Sequence, residues 1–220
     1  MTISLTAAIF PYLVSLFPGS DCSEAVDVLL LLDSSVSLAE SGVRAVRDFA
    51  TSLTSRLDIS LDLVRVAVVS FSSTQRIGLR LSESVDRTTV NNRIYNIRLA
   101  TRAGTDLIGA INIANSDIFV APGDRLFAPN KMVIITDAVV SAVNANQEVT
   151  RILAAANRIR DEKLVEIYSL FVASSDTSRN DQLMALLGTI RKSVYSVGDL
   201  GQYRDDVIQW ICRGVDSQGR

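Results

Sequence analysis

Val26-Asp27-Val28-Leu29-Leu30-Leu31-Leu32-Asp33-Ser34-Ser35-Val36-Ser37 carries the pattern from which the fold can be read. The aliphatic run Val26 to Leu32 has no regular polar face, as expected of a central strand covered on both sides of a parallel sheet. It closes on a carboxylate, and hydroxyls follow at every second position, so Asp33, Ser35 and Ser37 stand at i, i+2 and i+4. On a loop leaving a buried strand, these oxygens can converge on one hard cation. Oxygen donors without imidazole or thiolate favour magnesium, calcium or manganese over zinc or copper. Open parallel sheets bind ligands at the carboxyl ends of their strands, which is where this cluster falls.

Two later segments offer further oxygens, Gly104-Thr105-Asp106 and Val133-Ile134-Ile135-Thr136-Asp137. The second again sets an aspartate at the end of an aliphatic strand. Strand-like and helix-like runs alternate along the chain, the pattern of a parallel sheet flanked by helices. A helix is expected over Leu38–Leu57, where Val43, Val46, Phe49, Ala50, Leu53 and Leu57 form one stripe. Strands are expected at Val64–Phe71, Arg76–Leu81, Met132–Thr136, Leu164–Val172 and Ser193–Val197. Helices are expected at Asp86–Arg98, Asp106–Phe119 (with Thr105 as N-cap), Asn146–Arg160, Arg179–Leu187 and Gln202–Arg213.

Asp33-x-Ser35-x-Ser37 after a first strand, Thr105 before a helix and Asp137 closing a later strand resemble the metal-ion-dependent adhesion site of von Willebrand factor type A domains, the integrin I-domain-like family. Val64 to Ser73 is similar to the family's second strand, Lys131 to Asp137 to its fourth and Val165 to Val172 to its fifth. The likeness covers residues 24–215, leaving a polar tail at 216–220. It implies an α/β fold of three layers, doubly wound, with a mostly parallel central sheet, one antiparallel edge strand and flanking amphipathic helices. It also implies that Ser35 and Ser37 give hydroxyl oxygens directly to a divalent cation, Mg2+ first, with Mn2+ or Ca2+ as the other choices. Asp33 and Asp137 would hold metal-bound waters, and Thr105 would bind directly or through water. Ser34 and Asp106 flank these positions as candidates to support them.

The implied function is an extracellular adhesion module. An Asp or Glu of a collagen or other matrix protein, or of a receptor, would complete the cation's coordination. The alternative is an assembly scaffold of the same fold with a purely structural metal. Three positions depart from the family pattern: Asp106-Leu107 lacks a second hydroxyl after Thr105, Ala138 follows Asp137 where glycine is common, and Val36 replaces another glycine. None removes a coordinating oxygen. Both ends of the resembled domain lie together, which pairs Cys22 with Cys212. Such a bridge would contribute on the order of 4–5 kcal/mol; the other reading is two unrelated buried thiols.

The chain has 220 residues, 48% of them apolar, and no histidine. That absence removes Ser-His-Asp and Cys-His nucleophile schemes and His-ligated zinc, so no enzyme is expected. A net charge of −2 argues against a general nucleic-acid binder. Met1 to Ser20 is apolar and uncharged and is read as a secretory signal, although no basic residue precedes its core and Pro11 interrupts it. With the cysteine pair it places the protein outside the cell. No other segment is long and apolar enough to span a membrane, and no Asn-x-Ser/Thr acceptor occurs. Arg76, Arg80, Arg87, Arg93, Arg98 and Arg102 form a basic stretch that reads as solvated surface or as a polyanion contact. Trp210 reads as a packing residue. Asp33, Ser35 and Ser37 have a simpler explanation too, as caps of the helix near Leu38.

Overall fold

The computed structural model describes residues 22, 24–98, 100, 103–137, 145–172, 183, 187–188, 190–194 and 196–213. The expected signal at 1–20, Arg102, Ala138, most of the expected helix at 179–187 and the tail at 216–220 lie outside the described residues.

Among the described residues six strands form one sheet: β1 (Val26–Asp33), β2 (Val64–Phe71), β3 (Gln75–Leu79), β4 (Asn130–Thr136), β5 (Glu166–Val172) and β6 (Ile190–Val194). Their order is β3-β2-β1-β4-β5-β6. Every pairing is parallel except β2–β3, so the antiparallel strand stands at an edge, as expected. All eight residues of β1 are buried. Val28, Leu30 and Leu32 point into a core shared with α1 (Ala39–Thr54), α2 (Arg87–Tyr95) and α5 (Arg204–Cys212). Leu29 and Leu31 point the other way, into a core shared with α3 (Leu107–Ile113) and α4 (Ala145–Lys163). The period of two in a strand thus supplies both helical layers from one aliphatic run.

Several boundaries differ from expectation: the helices expected at Leu38–Leu57 and Asp86–Arg98 are Ala39–Thr54 and Arg87–Tyr95, and the strand expected at Arg76–Leu81 is Gln75–Leu79. Leu164 adopts the left-handed conformation (φ 52°) after α4, so β5 starts at Glu166. The segment Val197–Tyr203 contains Gly198 and Gly201 and winds as a 3-10 helix, so the last α-helix starts only at Arg204. The strand expected at Ser193–Val197 is β6, Ile190–Val194. Among the described residues no helix is long and apolar enough to cross a membrane.

The amino-terminal rim of the sheet is pinned by Arg125. Its guanidinium donates to Asp27 Oδ1 from Nε at 3.0 Å and from Nη2 at 2.8 Å, and its backbone N–H donates to Oδ2 at 2.9 Å. The remaining donors reach the carbonyls of Asp62 (2.8 Å) and Leu63 (2.7 Å). Asp27 is fully buried, so this charge has exchanged water for a planar fork that fills its acceptor sites. Trp210 is a packing residue, its ring centroid 5.3 Å from that of Tyr168. Cys22 and Cys212 form a disulfide across 190 residues of sequence, joining the entry to β1 to the end of α5.

Arg125→Ala leaves Asp27 buried without its partner, and is expected to lower unfolding free energy by about 3–5 kcal/mol in urea titration. A loss under 1 kcal/mol would mean the pair is not needed. Cys22→Ser is expected to cost on the order of 4–5 kcal/mol in the same assay, and reducing agent should have no further effect on that variant.

Candidate metal centre

Asp33 is the last residue of β1 and stands level with Phe71 of β2. The following residue locks the exit of the strand: Ser34 donates to the Phe71 carbonyl from its N–H (2.8 Å) and from its hydroxyl (3.1 Å). The chain then turns tightly. Ser35 N–H donates to Asp33 Oδ1 at 2.7 Å, and the hydroxyls of Ser35 and Ser37 lie 2.9 Å apart. On the other side of β1, Leu32 is level with Ile135 of β4, which puts Thr136 beside Asp33 and Asp137 just beyond. Thr136 Oγ1 donates to Asp33 Oδ2 at 2.7 Å. Asp33, Ser35 and Asp137 are buried and Ser37 is half-buried.

The loop carrying Thr105 is fastened to the same rim at two points. Ala100 N–H donates to the Ser34 carbonyl at 2.8 Å, and Asp106 N–H to the Ser72 carbonyl at 2.6 Å. Gly104 between them has φ +124°, and a Cβ there would lie 3.2 Å from Ser73 Cβ, so conformation and space both call for glycine. Thr105 is therefore held at the carboxyl edge, half-buried, beside the exit of β2.

Thr105 does not cap the following helix. Asp106 does, its Oδ1 accepting from Gly109 N–H at 2.9 Å, while Gln75 of β3 donates to its Oδ2 at 2.7 Å. The expected helix Asp106–Phe119 is accordingly α3, Leu107–Ile113, running into a π-turn at Ala114–Ile118. Capping also fails to explain the first cluster. Neither the 3-10 turn Val36–Leu38 nor α1 receives a side-chain capping bond, so the hydroxyls of Ser35 and Ser37 serve no helix end. Sequence reading missed Thr136 and Gln75. Thr136 was visible only as a strand residue, and its role appears once β1 and β4 are neighbours in register.

Two buried carboxylates on one rim repel. The pKa of Asp33 is pushed up to about 6, mainly by burial and then by the charge of Asp137; hydrogen bonds from Ser35 and Thr136 pull it back. Among the described residues no three His, Cys, Asp or Glu side chains gather into a cluster, so the set is two carboxylates among hydroxyls. That composition fits a hard divalent cation: neutral oxygens fill coordination positions while two acids balance most of the charge. It does not resemble the nitrogen and sulfur cage of a structural zinc site.

A family model described as the von Willebrand factor type A domain matches residues 27–208. The collagen alpha-6(VI) chain of Homo sapiens is 25% identical over 199 residues, which is 87% of this chain and 8% of that protein. Vitrin of Homo sapiens is 26% identical over 205 residues, 90% of this chain and 28% of that protein. The chain thus spans a small part of the length of these relatives. Among solved structures, proximal thread matrix protein 1 from the mussel byssus superposes with a TM-score of 0.74 at 16% identity, over 88% of this chain and 47% of that one. A second structure of it is described as having a zinc-occupied MIDAS motif. The manganese-loaded TRAP protein of Plasmodium vivax superposes with a TM-score of 0.66 at 20% identity, over 86% and 74% of the two chains.

Thr136→Val removes a bond to a buried carboxylate and is expected to lower stability by about 1.5–3 kcal/mol in urea unfolding. The pKa of Asp33 is raised on folding, from 3.8 to about 6, so the folded chain binds this proton more tightly than the unfolded one. Without metal, its ionisation opposes folding above pH 6, and that penalty is relieved as the pH falls from 7 towards 4. Urea midpoints in EDTA should show this gain in the wild type and a smaller one in Asp33→Asn; equal profiles would count against the assignment.

Proposed function

The chain belongs to the von Willebrand factor type A family, and on that footing we propose that it is an extracellular binding module engaging an acidic residue of a matrix or cell-surface protein through a divalent cation. The residues that would hold the ion are Asp33, Ser35, Ser37, Thr105 and Asp137. The observation that carries the reading is the buried convergence of Asp33 with the Ser35–Ser37 hydroxyl pair, Thr136 and Asp137 at one sheet rim.

A bound magnesium, manganese or calcium ion would supply an open coordination position for a partner carboxylate. Asp33 and Asp137 contribute negative charge that keeps a divalent ion at the rim. Ser35 and Ser37 contribute oxygen without charge, so attraction for an acidic partner is not cancelled. Thr136 and the Ser35 N–H hold the two Asp33 oxygens in fixed directions, and the Asp106–Ser72 bond holds Thr105 at the rim. Asp106 is engaged by Gln75 and Gly109, which directs its carboxylate into the helix start. The role is binding rather than turnover: the chain has no histidine, and the carboxylates lie in a setting suited to holding a cation.

Relatives named as collagen VI chains and a structural neighbour named as a matrix protein support a matrix setting, and neighbours described with zinc and manganese support a divalent ion. The Cys22–Cys212 disulfide fits an oxidising compartment, and with it secretion.

Magnesium or manganese at a hundred times its dissociation constant is expected to stabilise the chain by about 2.7 kcal/mol in thermal or urea unfolding. Ser35→Ala and Asp137→Ala should abolish that gain. In pull-downs from extracellular matrix, wild type should retain partners in magnesium and release them in EDTA. Retention by Asp137→Ala in EDTA would instead indicate an assembly scaffold with contacts elsewhere.

A further inference from the structure

A second feature adjoins the candidate metal centre, with Ser34 and Ala100 at their common border. A cavity of about 660 Å³ opens between the β2–β3 hairpin and the end of α2. Arg76, Arg93 and Arg98 line it together with Ser72, Thr74 and Asn96, and among the described residues no acidic side chain does. All three arginines are exposed, and among the described residues no ion pair engages any of them.

Their neighbours in sequence are otherwise occupied. Arg80 pairs with Asp117 at 3.7 Å and donates to its carbonyl, and Arg87 donates to the Leu57 carbonyl. Arg47 of α1 donates to the carbonyls of Tyr95 and Ile97 at 3.1 and 3.0 Å, which fixes the turn that carries Asn96 and Arg98. The described arginines of the basic stretch therefore divide into Arg80 and Arg87, which hold the fold, and three that face an open space together. Three like charges around one cavity repel one another, and an anion relieves that repulsion.

We propose that this cavity binds a sulfated polysaccharide. Guanidinium groups bind tetrahedral oxyanions through paired N–H donors, more directionally than an ammonium would. Hydroxyl and amide side chains between them suit both sulfate oxygens and sugar hydroxyls. The cavity has room for more than one charged group, which suits a chain bearing repeated sulfates. Among the described residues no aromatic ring lines it, so these residues offer nucleic-acid bases no stacking surface. Its apolar side chains are few, chiefly Ile77 and Ile97, and give little purchase to a peptide.

The test is binding of a heparin-derived dodecasaccharide to the full chain by calorimetry in EDTA. Wild type should bind, more weakly as salt rises. Arg76→Gln with Arg93→Gln should weaken binding by about tenfold or more, as expected for losing charge-assisted contacts. Arg158→Gln on α4, outside the cavity, should leave it unchanged. Should the double variant fail to fold by circular dichroism, the single Arg76→Gln, Arg93→Gln and Arg98→Gln variants carry the same readout. The proposal is overturned by absence of binding at low salt, by undiminished binding in the arginine variants, or by a requirement for divalent metal. Displacement by polyglutamate at equal charge concentration would overturn it in favour of an acidic protein segment. Loss of the metal centre through Asp137→Ala should not affect this binding, so the two readings fail separately.

Discussion

Burial of β1 on both faces is the constraint on which the rest depends. A strand with apolar side chains in both directions can exist only between two helical layers, and its neighbours must be strands paired in parallel through crossover helices. Its last residue, Asp33, then has no route to solvent along the strand. The carboxylate ends fully buried and is stabilised by the turn that follows it and by Thr136 from the adjacent strand. The candidate centre is a consequence of ending such a strand on an acid.

The two rims of the sheet treat a buried carboxylate differently. At the amino-terminal rim, Asp27 meets a guanidinium and a backbone N–H that fill its acceptor positions within the chain. At the carboxyl rim, Asp33 faces the hydroxyl of Thr136, the backbone of Ser35 and the charge of a second carboxylate, and among the described residues no arginine or lysine compensates it. Internal charge compensation is found on the side that holds the fold together. The other rim retains a surplus of negative charge, which is what makes an external cation a reasonable occupant.

Much of this was legible in the sequence because aliphatic runs have one solution at this length. Val26–Leu32, Val64–Phe71 and Met132–Thr136 read as strands, and the structure has them as strands. The spacing of Asp33, Ser35 and Ser37 gave a local cluster, and its link to Asp137 followed once two strands ended in acid. Helix starts were less legible. Thr105 and Asp106 are adjacent residues of good capping type, and the choice between them is made by a tertiary bond from Asp106 N–H to Ser72. The Arg125–Asp27 pair was not legible at all, since 98 residues separate its members and no local pattern marks them. The same holds for the cavity arginines: the stretch was visible, but not which of its members were already engaged.

The covalent link from Cys22 to Cys212 has a mechanical meaning as well as a thermodynamic one. Tension entering the polypeptide before the first of these sulfurs and leaving after the second would travel through the S–S bond and bypass the sheet. Strands and helices between them would bear almost none of it. A module built in this way would transmit load as a rigid bead, keeping its rim chemistry in register while the material around it stretched.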